Sequence, residues 1–174
     1  MLIWFLCGFT CAAAALVVAA YFKFIALRKA VLHARLRLEA CLKIRRELLP
    51  SLALCGAGMK GVDREFAYAL SHLKEPHDRG GSLGQRIAEE AEISRHLQKL
   101  FSAAQDQPEQ DGHLAHLQEA VAAAEHKIEQ GKKRYNSAVR DFNTLSAVFP
   151  LSCIAKLMEL EPLEYFDFEP SLKK

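Results

Sequence analysis

Three patterns of apolar and polar positions follow one another along the chain. The first is an unbroken apolar run, MLIWFLCGFTCAAAALVVAAYF, whose 22 residues include no Asp, Glu, Lys or Arg. As a helix it spans about 33 Å, enough for a hydrocarbon core of about 30 Å. Trp4 and Tyr21 stand about 26 Å apart along such a helix, a spacing that suits two interfacial aromatic belts. A cleaved signal peptide places its positive residues before a shorter apolar stretch. Here Lys23 and the other cations come after the run. Residues 1–22 therefore read as a retained anchor in the lipid bilayer.

The second pattern is helical. Apolar positions recur at Leu27, Val31, Ala34, Leu38, Cys41, Leu48, Leu52 and Cys55, spaced four and three apart, with Arg45 in the seam position between Cys41 and Leu48. A seam of this period packs against another helix. Pro50 removes a backbone donor, so a kink or break is expected there. Gly56, Gly58 and Gly61 weaken the turns that follow, and a helix is expected to resume over Val62–Lys74 with Phe66 and Leu70 on one side. Glu75–Gly81 is a connection, containing Pro76, Asp78 and Gly80-Gly81. Ser82 is a candidate N-cap for a helix to about Ala104, with Ile87, Ile93, Leu97, Leu100 and Phe101 as its apolar positions. A polar loop, Gln105–Gly112, follows.

The third pattern is the most regular. Leu114, Leu117, Val121, Ala124, Ile128, Gly131, Tyr135, Ala138, Phe142, Leu145 and Phe149 alternate in steps of three and four without a miss. Such a run predicts one long helix with coiled-coil-like packing. The small residues Ala124, Gly131 and Ala138 leave room for a close neighbour. Gly131 costs about 1 kcal/mol against Ala in a helix, and close packing would explain it. Phe149-Pro150 ends the helix. A short amphipathic piece around Ile154–Met158 and an acidic aromatic tail close the chain.

Charge sharpens the division. The 174 residues carry a net charge of +2, which gives no reason to expect nucleic acid as a partner. The stem Lys23–Arg46 holds eight basic residues and only Glu39 as an acid, and the remainder of the chain is acidic. An excess of Lys and Arg next to a span marks its cytoplasmic side. Lys23, Arg28, Lys29, Arg35 and Arg37 thus place the N-terminus outside and the body in the cytoplasm. The expected organisation is an anchor at 1–22, a helical body at 23–160 with its basic stem at 23–46, and a tail at 161–174.

Candidate chemistry is sparse. The five cysteines, Cys7, Cys11, Cys41, Cys55 and Cys153, have no metal spacing and read as buried apolar residues, Cys7 and Cys11 in the span and the other three in a reducing compartment. His113 and His116 share a helix face but have no third ligand at matching spacing. Glu89, Glu90 and Glu92 read as a solvated charge run. No catalytic residue, metal or cofactor is expected. An unpaired charge at Arg45 is costly on an apolar seam, so a carboxylate partner is expected, with Glu125 and Asp141 as candidates. Tyr135, Asn136, Asp141 and Asn143 read either as surface groups beside a core or as a hydrogen-bonding ladder between helices.

The run Arg134-Tyr135-Asn136-Ser137-Ala138-Val139-Arg140-Asp141-Phe142-Asn143, followed by Phe149-Pro150, resembles the RYNxAVRxYN…FP signature of the LemA family. Lys43–Leu52 is similar to that family's stem motif, and Ala124-Glu125, Ile128 and Tyr165-Phe166 fall in register. Ser51, Gly131 and Phe142 depart from the usual Asn, Ala and Tyr, and the stretch Cys55–Gly61 is unusually rich in glycine. The resemblance implies a bacterial protein with one N-terminal membrane helix and an elongated antiparallel helical bundle. One branch of the family contributes to magnetosome membrane formation.

The expectation for function is a membrane-anchored helical scaffold at the bacterial cytoplasmic membrane. It would act as a homo-oligomer or by recruiting another membrane-associated protein. Membrane shaping by ordered self-assembly is the alternative.

Overall fold

In a computed structural model of the chain, residues 1–57, 68, 69, 72, 73, 82–105 and 112–168 are described, the side chains of residues 2, 3, 5 and 6 excepted. The protein is all-α, with helices α1 (Leu2–Gly56), α2 (Leu83–Gln105), α3 (Gly112–Ala147) and α4 (Leu151–Leu157) and no strand among the described residues. Tyr68, Ala69 and His72 are also helical. Phe66, Leu70, the connection Glu75–Gly81, the interior of the loop before α3 and the tail from Glu169 lie outside the described residues.

Two compact units interleave along the sequence. One comprises Met1–Arg35 with Arg134–Tyr165, the other Leu36–Lys133 with Phe166–Lys174. Both α1 and α3 therefore contribute a stretch to each unit.

In the first unit, Cys7–Ala19 are all exposed, and burial begins at Ala20 and Phe24. The Phe24 ring meets Phe142 edge to face, with centroids 6.1 Å apart, and Arg35, later in α1, acts on Tyr135, earlier in α3, so α3 runs antiparallel to α1. The buried positions of α3 here are Tyr135, Val139 and Phe142, whereas Ala138 and Leu145 are only half-buried and Phe149 is exposed. The strict alternation expected through Phe149 thus gives way to a shift of one residue at Val139. A straight helix drifts about 20° per heptad against a 3.5-residue repeat, and over several heptads the core face moves on by one position. α4 buries Ile154 and Ala155. It ends with Glu159 at φ 51°, while the Leu160 amide donates to the Ala155 carbonyl and the Glu159 amide to Lys156. That is a Schellman closure with Glu in the left-handed position glycine prefers.

The second unit has an apolar core in which Leu49, Leu52 and Ala53 of α1 meet Ile93, Leu97, Leu100 and Phe101 of α2, and Leu114, Leu117 and Val121 of α3. α2 runs parallel to α1, since Glu39 pairs with Arg86 and Arg46 with Glu89. α3 runs antiparallel to both. Gly131 of α3 lies against Leu38 so closely that an added Cβ would meet the Leu38 Cα at 3.4 Å, which gives the glycine its packing reason. The start of α2 is a capping box: the Gln85 amide donates to Ser82 Oγ and the Ser82 amide to Gln85 Oε1.

Of the kink or break expected at Pro50, the break is corrected. Pro50 does not break the helix, which runs on to Gly56. The lost backbone bond is offset by Leu49, Leu52 and Ala53, all buried on either side of the proline. The expected seam holds: Val31, Leu38, Arg45 and Leu52 are buried and Leu27, Ala34, Cys41, Leu48 and Cys55 half-buried, with Phe24, Leu42 and Leu49 buried beside them. The cysteines, by contrast, are not buried as expected. Cys7, Cys11 and Cys153 are exposed, and Cys41 and Cys55 are intermediate.

Candidate functional site: a buried charge cluster and a clamped C-terminal segment

Arg45 occupies a core position of α1 and is 0% exposed. A guanidinium there needs its donors satisfied, because an uncompensated buried charge is strongly destabilising. Its Nη2 pairs with a carboxylate oxygen of Glu90 and bonds the Glu90 carbonyl at 3.3 Å. Its Nη1 donates to Ser94 Oγ at 3.0 Å and lies 3.7 Å from Glu125 Oε1. Ser94 in turn donates to the Glu90 carbonyl. Of the expected partners, Glu125 is therefore in place on α3, whereas Asp141 is exposed on the solvated side of that helix.

The principal partner is Glu90, which is 1% exposed and not part of a solvated run. Its other oxygen accepts from Nε and Nη2 of Arg46, which also reaches Glu89 at 3.2 Å. Glu90 lies three residues before Ile93 and seven before Leu97, on the apolar seam of α2. That spacing could have singled it out from Glu89 and Glu92.

The cluster joins α1, α2 and α3, and the C-terminal segment covers it. Phe168 is buried, with the Arg45 guanidinium 5.5 Å and the Lys132 ammonium 5.6 Å from its ring centroid, distances at which cations are drawn to an aromatic face. Lys132 also donates to the Phe168 carbonyl at 3.0 Å. Phe166 packs edge to face on Phe168. The Arg45 Nε is the one buried side-chain polar atom without a hydrogen-bond partner among the described residues.

A second set of contacts clamps the same segment a few residues earlier, within the first unit. The Asn143 amide donates to the Leu163 carbonyl at 2.9 Å and accepts from the Leu163 amide at 2.8 Å, in the manner of a strand neighbour. Tyr135 donates to the Glu164 carbonyl at 3.0 Å. Tyr135 and Asn143 therefore bind the extended backbone of residues 163 and 164, not a second helix. Asn136 is half-buried beside them. Burial pushes the Tyr135 hydroxyl above its usual value of 10.0, with Arg35 opposing and Glu164 reinforcing the shift. Of the remaining expected residues, Trp4, Tyr21 and Lys23 are exposed on α1.

Residues 34–174 match the model of the LemA family. The chain belongs to the LemA family. No curated protein matches it. In this LemA protein the motif residues Tyr135, Asn143 and Glu125 have mechanical roles, since each holds a helix or the C-terminal segment in place. The chemistry of the cluster points the same way. One oxygen of Glu90 is paired with the Arg45 guanidinium and the other with that of Arg46, so the carboxylate ties α1 to α2. His113 and His116 are exposed at the start of α3.

Proposed function

We propose that this LemA protein is a membrane-anchored helical scaffold of the bacterial cytoplasmic membrane, with its N-terminus outside and its body in the cytoplasm. It works by association with further copies or with another membrane-associated protein, and it is not an enzyme. The observation that carries this reading is the surface of α1. This is one helix long and apolar enough to cross a membrane, and every residue of its Cys7–Ala19 stretch is exposed. Exposed cations at Lys23, Arg28 and Lys29 follow directly, as the inner end of a span requires.

Beyond the span, α1 keeps apolar residues on the side away from the core. Leu32, Leu36, Ile44 and Leu54 are all exposed. At 100° per residue they fall on the half of the helix opposite Val31, Leu38, Leu42 and Leu49, interleaved with Lys29, Lys43 and Glu47. An amphipathic outer face of this kind suits a second helix. Ordered self-assembly that shapes the bilayer is the stronger form of the same idea.

The mass of the full-length protein in a native nanodisc tests the proposal. A discrete multimer, or a defined complex with one other protein, is the expected result. A monomer that brings no protein with it would overturn the scaffold reading.

A further inference from the structure

The end of the first unit nearest the span carries an apolar surface that the scaffold reading leaves unused. Phe24 of α1 lies against Phe142 of α3, and the two helices are antiparallel. The last helical residue of α3, Ala147, is five positions beyond Phe142, about 7.5 Å at 1.5 Å per residue. The same distance along α1 from Phe24 leads back to Ala19, inside the uncovered apolar stretch. The chain then turns through Val148, Phe149 and Pro150 into α4. This corner buries Ile154 and Ala155 inward but leaves Phe149 78% and Leu157 82% exposed, with Val148 and Cys153 exposed as well. Cys153 and Leu157 are four apart and share a face of α4.

The level of this surface identifies what covers it. Residues 7–19 are exposed and Ala20 is the first buried residue of α1, so the corner stands at the level of the last turns of the apolar run. The α1 stretch from Leu2 to Ala19 is about 27 Å long as a helix, close to the thickness of a hydrocarbon core. A neighbour of its final turns is thus held at the depth of the acyl–headgroup boundary. Exposed large aliphatic and aromatic groups are suited to that depth, and Lys156, exposed on the same short helix, can extend its ammonium to the headgroups. Exposed Lys23 and Arg28 of the same unit lie at the water side of this boundary.

We propose that the corner Val148–Leu157 is a second membrane contact, seated in the bilayer interface beside the α1 span, with lipid as its occupant. The inference rests on the reading of α1 as a span. It gives this protein two lipid contacts from opposite ends of its sequence: a spanning helix, and a shallow wedge on the body's side of the bilayer. The wedge fixes the body against the membrane surface and adds apolar volume to one leaflet only.

Single-tryptophan reporters in the full-length protein test it, in nanodiscs whose phosphatidylcholine and phosphatidylglycerol carry brominated acyl chains. Three variants are made on a Trp4→Phe background: Phe149→Trp and Leu157→Trp at the corner, and Leu16→Trp in the span. Two corner positions guard against the loss of one variant to misfolding. The expected result is loss of emission to brominated lipid at all three sites, with little quenching by aqueous iodide. Quenching of Leu16→Trp by lipid, with both corner reporters quenched by iodide instead, would overturn the wedge and leave the span intact. Corner reporters protected from both quenchers would also overturn it, since protein would then be the occupant. A Leu16→Trp reporter open to iodide would overturn the span and the wedge together.

Discussion

Replacing Arg45 by Met probes the charge cluster most sharply. The substitution keeps an unbranched side chain of good helix propensity but removes every contact the guanidinium makes. Glu90 would keep Arg46 as a partner, so its charge stays compensated. Glu125, buried at 5% exposure, would lose its pair at 3.7 Å, and Ser94 would lose a donor. Removing one member of a buried pair costs about 3–5 kcal/mol when the remaining charge is stranded. Because Arg46 still serves Glu90, the lower end applies, about 3 kcal/mol. For a chain of this size each kcal/mol moves the thermal midpoint by roughly 2–4 °C, so the midpoint should fall by about 6–12 °C. Thermal unfolding of the full-length protein in mild detergent, followed by far-UV circular dichroism, measures it. The double variant Arg45→Met/Glu125→Met should recover part of the loss, because it removes the carboxylate together with the guanidinium that faces it. An unchanged midpoint for Arg45→Met would refute the argument that the guanidinium is held by its partners.

Other expected outcomes follow from single contacts. Tyr135 titrates above its unfolded value of 10.0, so its contribution to stability is complete below that pH and is lost as pH rises through the folded value. A midpoint series from neutral pH to strongly alkaline pH should show this loss, and Tyr135→Phe should remove it along with one hydrogen bond. Asn143→Ala deletes both bonds to Leu163 and should cost about 1–3 kcal/mol, with faster amide exchange near residues 163–168. Pro50→Ala can restore a bond to the Arg46 carbonyl within an unbroken helix. It should raise stability by up to about 3 kcal/mol, read as a higher denaturant midpoint. Glu159→Gly relieves a left-handed residue at the end of α4 and should stabilise by about 1 kcal/mol, read as a higher thermal midpoint.

The helices themselves were legible because apolar spacing reports burial directly: Leu114, Leu117, Val121 and Ile128 are all buried as their period requires. Arg45 was legible as a seam position demanding a carboxylate, and so was Glu125. Glu90 was hidden by its company, since Glu89 and Glu92 made it look like one member of a solvated run. Its offset from Ile93 and Leu97 carried the information. Phe168 could not be placed from sequence, because an extended segment packed on helices has no period of its own. For the same reason Tyr135 and Asn143 showed their polar tips but not what those tips would bind. Pro50 misled because a local propensity was set against packing on both of its sides, and the packing prevailed.

The Arg45 cluster and the contacts on Leu163–Phe168 brace each unit internally, and a scaffold needs braced helices with an outward docking face. Incorporation of a photo-activated cross-linking residue at Leu36, on the exposed side of α1, tests that claim most directly in living cells. The account predicts an adduct of discrete size, either a second copy of the chain or one defined protein, that is lost when Ile44 is replaced by Lys. Capture of nothing at Leu36, with the protein folded and membrane-inserted, would contradict it.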